Sequence, residues 1–362
     1  MEEKKEISQK KGTRISRDEI LFLLSEEPLD SLIERAYAVK VAEIGKRVSL
    51  RALIEWSSVC SKNCYYCGIR RGNSALARYR MSEDEIVSLA LKAHKDGYGN
   101  LVLQSGEIES DENTSFVERV LKRIAASLGD DLGVTLSLGE QTDEVFKRWR
   151  EAGAHRYLLR IETSNRELYS KIHPQECSWE RRRNCLRSLR KCGYQVGTGV
   201  MCALPGQTIE DLADDIIFFA EEDIDMIGMG PYIPHPATPL GQGEVLDETA
   251  KRERFDLALR MIAVARIALG DVNIASTTAL QALDPQGREK GILAGANVIM
   301  PNVTDLKYNE SYNLYADKPR SDSACGEDVE KLSRLVESIG EKLLVGERGD
   351  SPHYKARGGD LV

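Results

Sequence analysis

Eight short apolar or β-branched runs recur along the chain, each bounded by turn residues and separated by charged, amphipathic segments. They are RVSLRALIEW from Arg47, NLVLQSG from Asn100, GVTLSLG from Gly133, RYLLRIET from Arg156, QVGTGVMCALP from Gln195, MIGMGPYIP from Met226, NIASTTAL from Asn273 and NVIMPN from Asn297. Alternating strand and helix patterns predict a parallel sheet covered by helices, and eight repeats is the number that closes a barrel. The intervening segments carry helix signals. Ser82 opens one with a Ser-x-x-Glu capping box, and Ile209, Leu212, Ile216 and Phe219 repeat at helical spacing in another. The predicted fold class is α/β, a complete (βα)8 TIM-type barrel over residues 47–320. A helical cap with a mobile start (1–46) precedes it and closes its N-terminal end, and a C-terminal helix and tail (321–362), mobile from Gly349, follows. An open doubly wound sheet is the competing architecture.

In such a barrel the C-terminal ends of the strands form the active face. The informative residues fall there: the loop after the first run, Gln104-Ser105-Gly106-Glu107 after the second, Glu162-Thr163 after the fourth, Thr277-Thr278 after the seventh and Pro301-Asn302 after the eighth. Composition narrows the partner. A formal charge of −8 excludes a phosphate-tracking nucleic-acid surface, so the partner is a small molecule. Apolar runs are no longer than fragments such as Ile216–Ala220, and the Lys/Glu-rich start lacks a signal-peptide core. The expected location is cytoplasmic, with no nucleic acid and no membrane among the partners.

The chemistry sits in CSKNCYYCGIR. Cys60, Cys64 and Cys67 offer three soft thiolates, which favour an iron–sulfur cluster or zinc, and the window supplies no fourth cysteine. An open metal position marks a reacting site rather than a structural one. Half of a zinc site completed by a distant His is the alternative. Cys177, Cys185, Cys192, Cys202 and Cys325 show no metal-like pairing and read mostly as small buried hydrophobes. His155 and His173 read as surface histidines, and Pro234-His235-Pro236 as a rigid loop.

The three-then-two spacing with Tyr66 before the third cysteine, together with SGE, TLSLGE, RYLLRIET, GTGVMCALPGQT, GPYIPHPATPL, NIASTTA and GANVIMPN, resembles the HydE radical S-adenosylmethionine (SAM) maturases of FeFe-hydrogenases. Their group also holds biotin synthase and methylornithine synthase. The resemblance runs from Arg51 to about Lys318 and implies a complete barrel. It also implies one 4Fe-4S cluster on Cys60, Cys64 and Cys67 and bound SAM. Tyr66 would border the adenine; Ser105, Gly106 and Glu107 match the SAM amino-group motif, Glu162 the carboxylate that meets the ribose, and Arg182 the arginine that meets the SAM carboxylate. Arg156, Arg160, Thr277, Thr278 and Tyr308 match positions that line the substrate cavity or hold anions.

The activity so implied is reductive cleavage of SAM to a 5′-deoxyadenosyl radical. That radical would act on a small substrate in the barrel, with an external electron donor and no implied oligomeric state. A cysteine-bound iron carbonyl–cyanide complex is the substrate that the HydE resemblance suggests. An amino-acid substrate, as in methylornithine synthase, and a non-catalytic zinc scaffold are the competing readings. Two departures stand out. Ile161 replaces the His of the family's RHET, and only Cys325 remains where many members carry a second cysteine cluster.

Overall fold

The computed structural model describes residues 12–309, 311–316, 318, 319 and 328–359; Cys325 lies outside them. Each of the eight runs forms parallel strand. The strands are β1 (Arg47–Leu50), β2 (Ala52–Ser57), β3 (Asn100–Ser105), β4 (Gly133–Ser137), β5 (Arg156–Leu158), β6 (Gln195–Thr198), β7 (Met201–Cys202), β8 (Met226–Pro231), β9 (Asn273–Ser276), β10 (Val298–Ile299) and β11 (Lys342–Leu344). Their spatial order is β11-β1-β10-β9-β8-β6-β5-β4-β3-β2, with β7 beside β8. β1 and β2 are one run interrupted at the buried Arg51: the first half pairs with β10, the second with β3, and Leu53 bridges Asn302. The sheet therefore curls into a TIM-like α/β barrel, with a helix on most crossovers as parallel pairing requires.

The pleat sorts residues between inside and outside. In β2, Trp56 stacks on Phe116 of the helix Asp111–Leu128, with ring centres 5.4 Å apart. Its neighbour Glu55 points the other way, to Asn302 and Lys318. The predicted capping box, Ser82 with Glu85, is present, and so is one that the sequence pattern did not single out, Thr208 with Asp211. They start the helices Glu83–Lys95 and Ile209–Glu221, whose apolar faces join the core through Ile86, Ala90, Leu212, Ile216 and Phe219.

The N-terminal helices do not close the base of the barrel as the sequence suggests. The N-terminal helices Arg17–Ser25 and Leu29–Glu43 pack on the outer layer, against Ile209–Glu221 and Glu248–Leu269, because their buried stripes match those helices. The base is filled by the other end. β11 adds to β1, Gly346 N–H donates to Gly97 O at 2.7 Å, and the following residues turn under the strands. Gly349 O accepts from Asn273 Nδ2 at 3.0 Å, and Ser351 N–H donates to Gln195 Oε1 at 3.0 Å. Ser351 is fully buried. The start of the predicted mobile tail is thus a packed plug.

That plug answers an electrostatic demand. Arg51 and Arg156 enter the barrel base fully or almost fully buried, and a buried guanidinium without a partner is costly. Arg156 pairs with Asp350 and donates to Arg348 O at 2.7 Å, and Asp350 also accepts from Gln195 Nε2 at 2.6 Å. Burial pushes the Asp350 carboxyl up, but Arg156, Gln195 and Arg348 override it and hold it at about 2. Arg156, matched to the substrate cavity by resemblance, therefore sits at the end opposite the strand C-termini.

Candidate functional site

The loop Cys60–Gly68 follows β2 and is held from four directions. Ser61 N–H donates to Glu107 O at 2.8 Å, Tyr65 N–H to Ile172 O at 2.9 Å, Gly68 N–H to Leu314 O at 2.9 Å, and Tyr65 O accepts from Leu240 N–H at 2.9 Å. Arg78 gathers the carbonyls behind it, with Nη1 2.7 Å from Ile69 O and Nη2 2.6 Å from Arg70 O. Gly106 is required at the end of β3, since a Cβ there would lie 2.3 Å from Val59 O and 2.6 Å from the Cβ of Cys60. The SGE turn and the cysteine loop are in van der Waals contact for that reason. Ser105 Oγ donates to Gly106 O, and the Glu107 N–H points at Cys60 Sγ at 3.4 Å.

All three thiols are pushed toward the neutral form. Burial raises Cys60 and takes Cys67 to about 12. Cys64 is raised by its hydrogen bond with Cys177 and then by burial. Soft cations that bind thiolates reverse such shifts by releasing the protons.

Around the loop lie two buried carboxylate groupings. In the first, Glu107 takes Lys62 Nζ at 2.9 Å, while Arg182 reaches Glu140 at 2.6 Å, Arg160 O at 2.7 Å and Glu107 at 4.0 Å. Arg182 is 7% exposed although it lies in the charged run WERRRNC of the helix Trp179–Lys191. Burial works against its charge, but Tyr169, Glu140 and Glu107 more than offset it. Burial raises Glu107.

The second centres on Glu162, whose backbone is left-handed at φ 66°, a conformation that costs a non-glycine residue about 1–3 kcal/mol and concentrates at functional sites. Its Oε2 accepts from Arg160 Nε at 3.1 Å, and its Oε1 faces the Tyr66 hydroxyl at 3.5 Å. Tyr66 also meets His173, which is buried, not superficial. His155 is half-buried and accepts from Val134 N–H at 3.3 Å.

The mouth thus assembles Cys60, Cys64, Cys67, Tyr66, Ser105, Gly106, Glu107, Arg160, Glu162 and Arg182. Thr277 and Thr278 follow β9. Thr277 Oγ1 donates to Met229 O at 2.9 Å, and Thr278 meets the Tyr315 hydroxyl at 3.0 Å. Tyr308 is turned elsewhere: it stacks on Tyr79 and donates to Glu85 at 2.8 Å. Ile161 belongs to the hydrophobic core, so the departure from the family's His is a packing residue. The Pro234–Pro236 loop packs on the cysteine loop, where a Cβ on Gly68 would strike His235.

Several residues at the mouth gave no sequence signal strong enough to single them out. Inside the sheet, Glu55 is 1% exposed, pairs with Lys318 and accepts from Asn302 Nδ2 at 2.8 Å. Lys318 Nζ also donates to Tyr312 O at 3.0 Å, and Gln104 donates to the Tyr312 hydroxyl at 3.2 Å. A lone Glu in the apolar run ALIEWS was the available hint. Lys318 and Tyr312, on an irregular segment crossing the mouth, gave none. Among the described residues no three His, Cys, Asp or Glu side chains converge on a single-ion position, and no helix is long and apolar enough to cross a membrane.

Comparison with known proteins gives the family. Residues 54–219 match the Radical SAM superfamily. The chain is 44% identical over 328 residues to the [FeFe] hydrogenase maturase subunit HydE of Thermotoga maritima, covering 90% of this chain and 87% of that protein. It is 27% identical to the 3-methylornithine synthase of Methanosarcina acetivorans, over 92% of this chain and 89% of that one. Among solved structures, methylornithine synthase superposes with a TM-score of 0.77 at 24% identity, covering 95% and 96% of the two chains. The FeFe-hydrogenase maturase HydG of Carboxydothermus hydrogenoformans gives 0.75 at 20%, covering 91% and 76%. These two likenesses speak to the fold.

Proposed function

The chain belongs to the HydE-type radical SAM maturases, and from that premise we propose that Cys60, Cys64 and Cys67 hold a 4Fe-4S cluster beside bound SAM at the barrel mouth. As a member of that family it is a radical SAM enzyme of FeFe-hydrogenase maturation. The observation that carries the site assignment is the contact between the cysteine loop and the SGE turn, with the Glu107 N–H 3.4 Å from Cys60 Sγ and the Glu162–Tyr66 pair on the same mouth.

The residues fit the group. The loop is clamped through its backbone, leaving the thiols as its chemical face. Three soft thiolates on one loop suit the separate irons of a cluster that keeps one iron free for a ligand. When bound, the reduced cluster supplies the electron that splits SAM into methionine and a 5′-deoxyadenosyl radical.

This chain's residues bind and orient. The Oε1 of Glu162 accepts ribose hydroxyls while Arg160 occupies Oε2. Ser105, Gly106 and the Glu107 carboxylate present acceptors to the SAM ammonium, a charge-assisted arrangement. Arg182 holds its guanidinium charged for the SAM carboxylate. Tyr66 borders the adenine. The small substrate lies deeper, against Arg160, Thr277 and Thr278, with the Glu55–Lys318 pair on the inner wall. An electron donor docks from outside.

We also read the curled sheet as a complete (βα)8 barrel. In support, β1 and β2 reach opposite edges of the sheet, β10 and β3, from one continuous run. Anaerobic reconstitution tests the site. About four irons per chain and 5′-deoxyadenosine formation that vanishes in Cys60→Ala, Cys64→Ala and Cys67→Ala support the assignment; product formed by any of these variants refutes it.

A further inference from the structure

Sequence patterning gives His173 no role, yet its ring is 2% exposed and wedged between two tyrosines. It stacks on Tyr169 with centres 3.9 Å apart, and Tyr66 meets it edge-on at 5.3 Å. The residue caps the helix Arg166–Ile172, and its Nδ1 lies 3.0 Å from Tyr169 O. A carbonyl oxygen can only accept, so Nδ1 carries the proton. Burial, reinforced by the charge of Arg182, holds the ring's pKa down to about 3. In a neutral imidazole protonated at Nδ1, Nε2 is a bare acceptor, and it lies 3.3 Å from the Tyr66 hydroxyl.

That hydroxyl has one proton and two acceptors within reach, His173 Nε2 at 3.3 Å and Glu162 Oε1 at 3.5 Å. The choice matters because Arg160 already occupies Glu162 Oε2. Oε1 is the oxygen left for a ligand. A tyrosine proton aimed at it would compete with any incoming hydroxyl.

We propose that His173 is a positioning residue: by accepting the Tyr66 proton, it keeps Glu162 Oε1 open for the hydroxyl groups of a bound ribose. The inference rests on the reading that Glu162 meets the ribose of SAM. Tyr66 then serves two neighbours, presenting its ring to the adenine and its proton to the imidazole.

The test is SAM affinity of the anaerobically reconstituted protein in a double-mutant cycle. His173→Phe keeps a ring on Tyr169 but removes the acceptor, so the Tyr66 proton turns to Glu162. SAM binding then weakens roughly ten- to a hundredfold, the size of one hydrogen bond to a charged group. In a Tyr66→Phe background there is no proton to redirect, and adding His173→Phe changes affinity less than twofold. Iron content per chain and thermal unfolding, measured on every variant, establish that each is folded and loaded.

An equal loss in both backgrounds assigns His173 to packing alone and overturns the proposal, as does unchanged affinity in the single variant. Glu162→Gln, run in parallel, separates the two levels. Affinity that survives it removes the ribose reading and the inference with it. Affinity lost in Glu162→Gln but indifferent to His173→Phe overturns only the orientation of Tyr66.

Discussion

Replacing Asp350 with Asn keeps the shape of the plug under the barrel and removes its charge, which isolates what the carboxylate does there. Its partner Arg156 is 2% exposed and Asp350 itself 9%, so solvent cannot substitute for either. The carboxyl is held at about 2 in the folded chain, against about 3.9 when unfolded. Because the folded pKa is the depressed one, the pair's stabilisation is complete above about pH 4 and is lost as pH falls toward 2. The difference of nearly two units corresponds to about 2.6 kcal/mol at pH 7. Breaking a buried pair from one side typically costs about 3–5 kcal/mol, but Arg156 keeps the carbonyl of Arg348 and the side chain of Asn100. We therefore expect a loss of about 3 kcal/mol, read as a lower urea midpoint at pH 7 with an unchanged slope. In an Arg156→Met background the same substitution costs little. A loss below about 0.5 kcal/mol in the wild-type background would falsify the plug and return residues 349–351 to a surface tail.

Three other outcomes follow from named contacts. Gly106→Ala forces a Cβ to within 2.3 Å of Val59 O, displacing the cysteine loop, so iron retained per chain falls while secondary structure by circular dichroism is unchanged; full retention contradicts the packing. Arg182→Ala leaves Glu140 and Glu107 buried beside one fewer cation, so SAM affinity drops at least tenfold and unfolding stability falls by about 3–5 kcal/mol; loss of neither puts Arg182 back on a solvated surface. His353, raised to about 9 by Asp223 and Asp271 despite burial, contributes stability that is full below about pH 6.5 and lost as pH rises through about 9, at most about 3 kcal/mol; His353→Phe flattens that dependence, and an identical pH profile in the variant refutes it.

What the sequence made legible follows the range of the interaction involved. The strands and the Ser82 capping box depend on neighbours a few residues away, and hydrophobic period and cap chemistry exposed them directly. Cys60, Cys64 and Cys67 were visible because their ligand spacing is local. Arg156 was misplaced because its partner Asp350 is 194 residues distant; nothing in RYLLRIET distinguishes a base arginine from a mouth arginine without the strand direction. The GERGDSPHYK stretch looked like a tail because a plug stabilised by backbone hydrogen bonds and buried ion pairs need not be hydrophobic. Arg182 hid in a charged helix, where only one of several basic residues turns inward. His173 hid because a lone histidine has no period.

The central claim is that three thiols of one loop would hold the cluster whose electron cleaves SAM. Its most direct test is anaerobic reconstitution of the wild type and the three cysteine-to-alanine variants, with iron, zinc and 5′-deoxyadenosine measured on the same samples under reducing conditions. Wild-type protein is expected to be brown, to hold about four irons and to form 5′-deoxyadenosine, while each variant forms none. A colourless, zinc-loaded wild type, or 5′-deoxyadenosine from any variant, contradicts it.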